Sequence, residues 1–221
     1  MATSPYDDTV LILDFLGHLI YRRPVSVLDI GGGFGRWGYL LRCHMGTGQS
    51  LTTEAGQDLH IETVEAWDKN VTPVYECVYN RTHVGDVRDI LPELGSFDVI
   101  IASHVIEHVP KSDGERLLDL IVDRSRIAAV ICVPFGEWPQ DEVDGNSFEV
   151  HRAVWEKADF EKYGAYVKAF GRQGTALIPL NDQARWLVRL MKNPVRMLAY
   201  RTLRFLRGKG RWPQSGETEE G

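Results

Sequence analysis

"VSVLDIGGGFGRWGYLLRC", residues 25–43, changes character twice within a short span. An apolar run from Val25 to Ile30 carries one acid, Asp29, near its end. Four glycines follow within residues 31–35, and then come the spaced apolar positions of Trp37, Leu40 and Leu41. This reads as strand, glycine turn and helix. Glycines at 31, 33 and 35 permit positive φ and close approach of a ligand to the backbone, while the helix start offers free N–H groups. The turn therefore predicts a bound small polar molecule. Arg36 stands where the dinucleotide fingerprint GxGxxG wants a small residue. A diphosphate would be repelled by Asp29, whereas an ammonium or sulfonium group would be attracted.

Outward from this turn the pattern repeats. "HIETVEAW" (60–67) reads as a second strand ending near Glu65, "THVGDV" (82–87) as a short third, "SFDVIIAS" (96–103) as a fourth and "IAAVICVP" (127–134) as a fifth. "DDTVLILDFLGHLIYRR" (7–23) and "GERLLDLIVDRS" (114–125) have helical spacing. Strands that are apolar on both faces and alternate with helices imply a parallel sheet covered on both sides. "AYVKAFG" and "GTALIPL" (165–171 and 174–180) lie too close together for a parallel crossover, so they pair as an antiparallel hairpin. The expected fold is α/β: a Rossmann-like three-layer sandwich with a seven-stranded, mostly parallel sheet and a C-terminal antiparallel hairpin. The long connection "FGEWPQDEVDGNSFEVHR" (135–152) holds Pro139, two glycines and the aromatics Trp138 and Phe148, and reads as a lid.

The chain has 221 residues and 43% hydrophobic content, enough for one cored domain plus an appendage. Its three cysteines form no CxxC pair, which argues against a disulfide framework and for a reducing, cytoplasmic setting. The first residues do not read as a secretory signal, and no apolar stretch approaches the ~18 residues of a membrane span. Charge divides the chain. Residues 1–182 hold 16 Lys+Arg against 28 Asp+Glu, and residues 183–211 hold nine Lys+Arg and no acid. The expected organisation is a domain over 1–182, a basic amphipathic helical appendage over 183–211 and a disordered acidic tail over 212–221.

"VLDIGGGFGRWG" resembles the first motif of class I S-adenosylmethionine-dependent methyltransferases of the type 11/12 group, and later landmarks follow in that family's order. The resemblance implies S-adenosylmethionine held by Asp29, Gly31, Gly33, Phe34 and Gly35. Glu65 takes the place of the acid that binds the ribose hydroxyls, and a carboxylate accepting two hydrogen bonds suits a diol in any case. "HVGDV" is similar to the segment facing adenine, giving Asp86 and Val87. Ser103 and His104 then arrive at the methyl-donor mouth.

"HVIEHV" (104–109) places His104, Glu107 and His108 at helical i, i+3 and i+4 spacing, so their side chains are expected on one face as the catalytic group. Methyl transfer from a sulfonium is a direct displacement, and a histidine can take the acceptor's proton. "HVIEH" also resembles the "EVIEH" element of ubiquinone-biosynthesis O-methyltransferases and of enzymes acting on the 3′ end of small RNAs, in which acids and histidine bind a divalent metal. His104 replaces the first acid of that element. With His151 of the lid, a set of His104, Glu107, His108 and His151 suits zinc, iron or manganese better than magnesium. Trp138, Gln140, Asn146, His151, Arg152 and Trp155 are the expected acceptor-contacting residues.

"RWLVRLMKNPVRMLAYRTLRFLRGKGRW" (185–212) intersperses apolar residues with arginines and breaks at Pro194. It suits the cytoplasmic face of an anionic membrane, with packing on its own domain or homodimerisation as alternatives and nucleic acid disfavoured by the acidic body. The expected activity is methylation of an oxygen, less readily a nitrogen, on a small-molecule, glycan or lipid-linked acceptor. Alternatives are RNA 2′-O-methylation, an NAD-dependent oxidoreductase, and a non-catalytic S-adenosylmethionine-binding scaffold.

Overall fold

The computed structural model describes residues 7–20, 24–45 and 59–207. The expected tail over 212–221 and the polar loop before the second strand lie outside them. Seven strands, β1 (Val25–Ile30), β2 (Leu59–Glu65), β3 (Arg81–Val84), β4 (Phe97–Ser103), β5 (Ser125–Pro134), β6 (Tyr166–Phe170) and β7 (Gln173–Pro179), form one sheet ordered β3-β2-β1-β4-β5-β7-β6. β1 to β5 pair in parallel, and β7 runs antiparallel to both β5 and β6. The turn between β6 and β7 is Gly171 and Arg172, with Gly171 at φ 60°. This is the expected three-layer architecture. Insertion of β7 between β5 and β6 separates it from the dinucleotide-binding order 3-2-1-4-5-6.

The strands are buried on both faces because helices cover both. Val27, Val99, Ile101 and Val130 point to one side, where they meet α1 (Thr9–Ile20), α2 (Arg36–Met45) and α3 (Pro73–Val78). Their neighbours Leu28, Ile100, Ala129 and Ile131 point to the other, against α4 (Val87–Glu93), α5 (Lys111–Arg124) and α6 (Lys157–Glu161). That alternation is the period of two of a strand between two apolar layers. α7 (Asp182–Met191) starts where the Asn181 side chain accepts from the Ala184 N–H at 2.8 Å, and it buries Ala184, Leu187 and Val188 in the first layer. α8 (Pro194–Arg207) follows it and buries Met197 there. The charge boundary at 182 is thus not a boundary of the core.

Trp155 anchors the far end of the 135–155 connection. It is fully buried, its Nε1 donates to the Ile106 carbonyl at 3.2 Å, and Gly114 of α5 presses against its ring so closely that a Cβ there would sit 2.7 Å from Cζ2. Replacing Trp155 by Ala should lower unfolding free energy by ~3–5 kcal/mol, as loss of a fully packed aromatic does. Urea unfolding followed by circular dichroism measures it, and an unchanged midpoint would contradict the anchoring role.

Candidate active site

Ile30, Glu65, Ser103 and Pro134 are the last residues of β1, β2, β4 and β5, and all four line one cavity of about 720 Å³. It lies at the carboxyl ends of the parallel strands, where open α/β sheets bind their ligands. One end is the glycine turn and the other is the lid.

The turn is shaped by what it must pack against. Gly31, Gly33 and Gly35 have φ of 75°, 55° and 80°, and Gly31 donates to the Val64 carbonyl at 2.8 Å. A Cβ on Gly31 would meet Val105 at 2.7 Å, and one on Gly32 would meet the Thr63 hydroxyl at 2.6 Å and the Tyr75 hydroxyl at 2.8 Å. Gly31, Gly33 and Phe34 line the cavity, as does Gly32, which the alternating-glycine pattern passes over. Gly35 does not; it closes the turn by donating to the Gly32 carbonyl at 2.8 Å.

Glu65 is 5% exposed and heavily engaged. Oε2 accepts from the Gly33 N–H at 2.9 Å and the Tyr75 hydroxyl at 3.1 Å, and Oε1 from the Trp67 N–H and the Asn70 amide, both at 3.1 Å. Its lone-pair directions are filled by protein donors, so an incoming diol must share or replace one of them. Asp29 lies behind the turn rather than in the cavity wall. It is fully buried, Oδ2 accepts from the Tyr79 hydroxyl at 2.5 Å, and Oδ1 has no hydrogen-bond partner. Burial, opposed by the Tyr79 hydrogen bond and reinforced by Glu65, raises its pKa to about 7. Tyr75 on α3 and Tyr79, the residue that caps its end, stand four apart, a spacing visible in "PVYECVYN", but nothing in the sequence said that this pair faces the acids.

Asp86 and Val87 line the same cavity. The Asp86 carboxylate is already in use: it caps α4 through the Arg88 N–H at 2.9 Å and pairs with the Arg88 guanidinium, which holds its pKa below the usual range. Ser103 ends β4 at the cavity wall.

The expected single helical face of His104, Glu107 and His108 is not formed. His104 adopts φ 58°, and only Ile106–His108 form a short 3-10 turn. The left-handed residue re-aims the chain as it leaves β4, with the His104 N–H still bonded to the Cys132 carbonyl at 2.8 Å. Such conformations in non-glycine residues are costly and gather at functional sites. His104 and Glu107 nevertheless meet, Nδ1 to Oε1, at 3.1 Å. Burial works against the His104 charge, but Glu107, with Asp8 behind it, outweighs this and raises its pKa; Glu107 in turn is lowered by His104 despite its own burial.

Glu107 is fully buried, and neither oxygen has a well-directed hydrogen-bond donor. The ligand atoms of Glu107, His108 and His151 lie within 4.8 Å of one another, and the two imidazoles meet edge to face at 4.9 Å. His151 Nδ1 is 2.6 Å from the Trp138 carbonyl and His108 Nδ1 3.4 Å from that of Val150. A carbonyl only accepts, so these contacts put the protons on Nδ1 and leave each Nε2 lone pair available, the usual outer-sphere support of a metal-binding histidine. The buried, undonated carboxylate and the two oriented imidazoles fit a divalent cation. His104 stands beside this group, not in it.

In the lid, Trp138, Gln140, Asn146, His151 and Arg152 line the cavity. Gln140 donates to the Glu149 carbonyl at 2.7 Å and Asn146 caps the Phe148 N–H at 3.1 Å, so both also hold the loop's own shape. Trp155 does not reach the cavity, because the core claims it. Asp8, absent from any sequence motif, is fully buried and accepts from Gln173 at 2.7 Å and Thr175 at 3.1 Å.

Residues 28–123 match the family model described as a methyltransferase domain. No curated protein sequence is similar enough to match. Among solved structures, the fold is shared with an O-methyltransferase family protein from Burkholderia thailandensis (14% identity, TM-score 0.53, 79% of this chain and 55% of that one). It is shared too with TehB from Haemophilus influenzae (11%, TM-score 0.57, 81% and 64%). A third is magnesium protoporphyrin IX methyltransferase from Synechocystis PCC 6803 with bound SAH (12%, TM-score 0.50, 76% and 80%). The chain thus spans less than two thirds of the first two proteins.

The raised Asp29 pKa has a sign that stability measurements can read. A carboxyl at about 7 in the fold and near its ordinary 3.8 when unfolded makes folding less favourable as pH rises from roughly 4 to 7. Asp29→Asn removes that cost, so the variant should melt above the native chain at pH 8 and alongside it near pH 4. Equal melting temperatures at pH 8 would show that the buried carboxyl carries no such penalty.

Proposed function

We propose that this chain is a class I S-adenosylmethionine-dependent methyltransferase and that it methylates an oxygen of a small-molecule, glycan or lipid-linked acceptor. The observation that carries the reading is the continuity of one cavity from the glycine turn, through Glu65, to His104 and the lid. S-adenosylmethionine supplies an electrophilic methyl on a sulfonium; everything else is asked of the protein.

Glu65 holds the ribose hydroxyls. Its bonds to Gly33, Trp67 and Asn70 fix the carboxylate, and the Tyr75 hydroxyl, the one freely rotating donor among its partners, yields its place. Asp29 acts from behind the turn: with its pKa raised to about 7, a cationic ligand in front of the glycines draws it toward the charged form. Trp138 and Phe148, both partly exposed at the lid, cover the acceptor and limit water. His104 takes the proton from the acceptor hydroxyl as the methyl group transfers, and Glu107 orients the imidazole and offsets the charge it gains.

Glu107, His108 and His151 are further proposed to hold a zinc, iron or manganese ion. A divalent ion there would lower the pKa of a bound hydroxyl. The mixed nitrogen and oxygen set, with Nδ1 of both histidines turned to backbone carbonyls, supports that choice over magnesium.

Calorimetry with S-adenosylhomocysteine tests the first part. Glu65→Ala should weaken binding roughly tenfold or more, as loss of a charged two-hydrogen-bond acceptor does. Tyr75→Phe should bind as tightly as the native chain or more so. Native-like affinity in Glu65→Ala would remove the ribose assignment.

Elemental analysis of protein made without a histidine tag tests the second. The native chain should carry near-stoichiometric transition metal and Glu107→Gln should lose it. A metal-free native protein that stays metal-free after incubation with zinc or manganese would end the metal reading.

A further inference from the structure

We infer that the outward face of α7 and α8 docks this protein on an anionic membrane surface. The inner face of the two helices is accounted for: Ala184, Leu187, Val188 and Met197 are in the core, Tyr200 meets Trp186 at 5.3 Å and His18 at 5.5 Å, and Arg201 pairs with Asp14 of α1. These contacts fix α8 against the body and leave its other face to solvent. That face is apolar. Val195 is 76% exposed and Leu198 67%, three positions apart on the same side of the helix, with exposed Ala199 and Thr202 continuing the row.

Exposed cations are carried on the same helix pair, Arg196 beside Val195 on α8 and three more on α7 and its C-cap. Arg185, Arg189, Lys192 and Arg196 are all exposed, and the one acid of the helix pair, Asp182, is paired with Arg185. A helix that turns apolar residues outward between basic ones, on a support that orients it, is built to lie in the boundary between headgroups and acyl chains. No helix among the described residues is long and apolar enough to cross a membrane, so the contact is peripheral.

Charge complementarity chooses the occupant. A second copy pairing through this face would set Arg189, Lys192 and Arg196 against their own equivalents with no acid between them, which a symmetric interface cannot relieve. A nucleic acid would use the arginines but leave Val195 and Leu198 facing phosphates, and residues 1–182, with 28 acids against 16 bases, would repel the rest of a long polyanion. Anionic lipid satisfies both features at once. Each basic residue near such a surface adds attraction, and each buried apolar side chain adds to it.

The test is co-sedimentation of the full chain with vesicles of phosphatidylcholine mixed with phosphatidylglycerol, and with phosphatidylcholine alone. The native chain should bind the mixed vesicles and not the neutral ones, with affinity falling as salt rises. Val195→Asp with Leu198→Asp should bind roughly tenfold or more weakly, as should Arg189→Glu with Arg196→Glu. Both pairs change exposed side chains, and an unchanged thermal midpoint and S-adenosylhomocysteine affinity verify that the fold is kept. Failure of the native chain to bind mixed vesicles would overturn the inference. So would equal binding by the Val195/Leu198 variant, a native dimer that the same variant dissolves, or preferential binding to duplex RNA that ignores the Val195/Leu198 change.

Discussion

A single buried carboxylate ties the active-site end of this molecule together. Glu65 ends β2, yet its four hydrogen bonds come from the glycine turn, the segment after β2 and α3. Without those donors a carboxylate at 5% exposure would be costly to bury. With them, its position is over-determined. The turn can in turn come this close only because Gly32 has no Cβ to meet Thr63 and Tyr75. One backbone without a side chain and one side chain without a free lone pair define the floor of the cavity.

The parts of this arrangement that depend on period and spacing were readable from the residues alone. β1, the turn and α2 follow from an apolar run, clustered glycines and spaced apolar positions, and the β6–β7 hairpin follows from a two-residue gap that no parallel crossover fits. Placement of Glu65 at a strand end was legible for the same reason. What depends on long-range packing was not. Trp155 looked like a lid aromatic because the connection it ends carries no core periodicity; Gly114 on a distant helix makes the slot that buries it. His104 looked helical because nothing in "HVIEHV" signals a positive φ at a histidine, and the turn it makes is set by the β4–β5 pairing that holds its N–H to Cys132. Asp8 carries no motif, and its burial depends on Gln173 and Thr175, more than 160 positions away.

Charge is separated on a larger scale than any one pair. Asp8, Asp29, Glu65 and Glu107 are all buried, while Arg185, Arg189, Lys192 and Arg196 are exposed on the α7–α8 pair. Where they are ionised, these buried acids favour positive charge in the cleft. An anionic surface would be repelled by the one and held by the other. On the proposed membrane reading, the same imbalance would turn the cavity away from a negatively charged plane and α7 and α8 toward it. α8 is coupled to the core through Met197 and to α1 through Arg201 and Asp14, so the orientation of the outer helix is transmitted to the whole body rather than absorbed by a flexible joint.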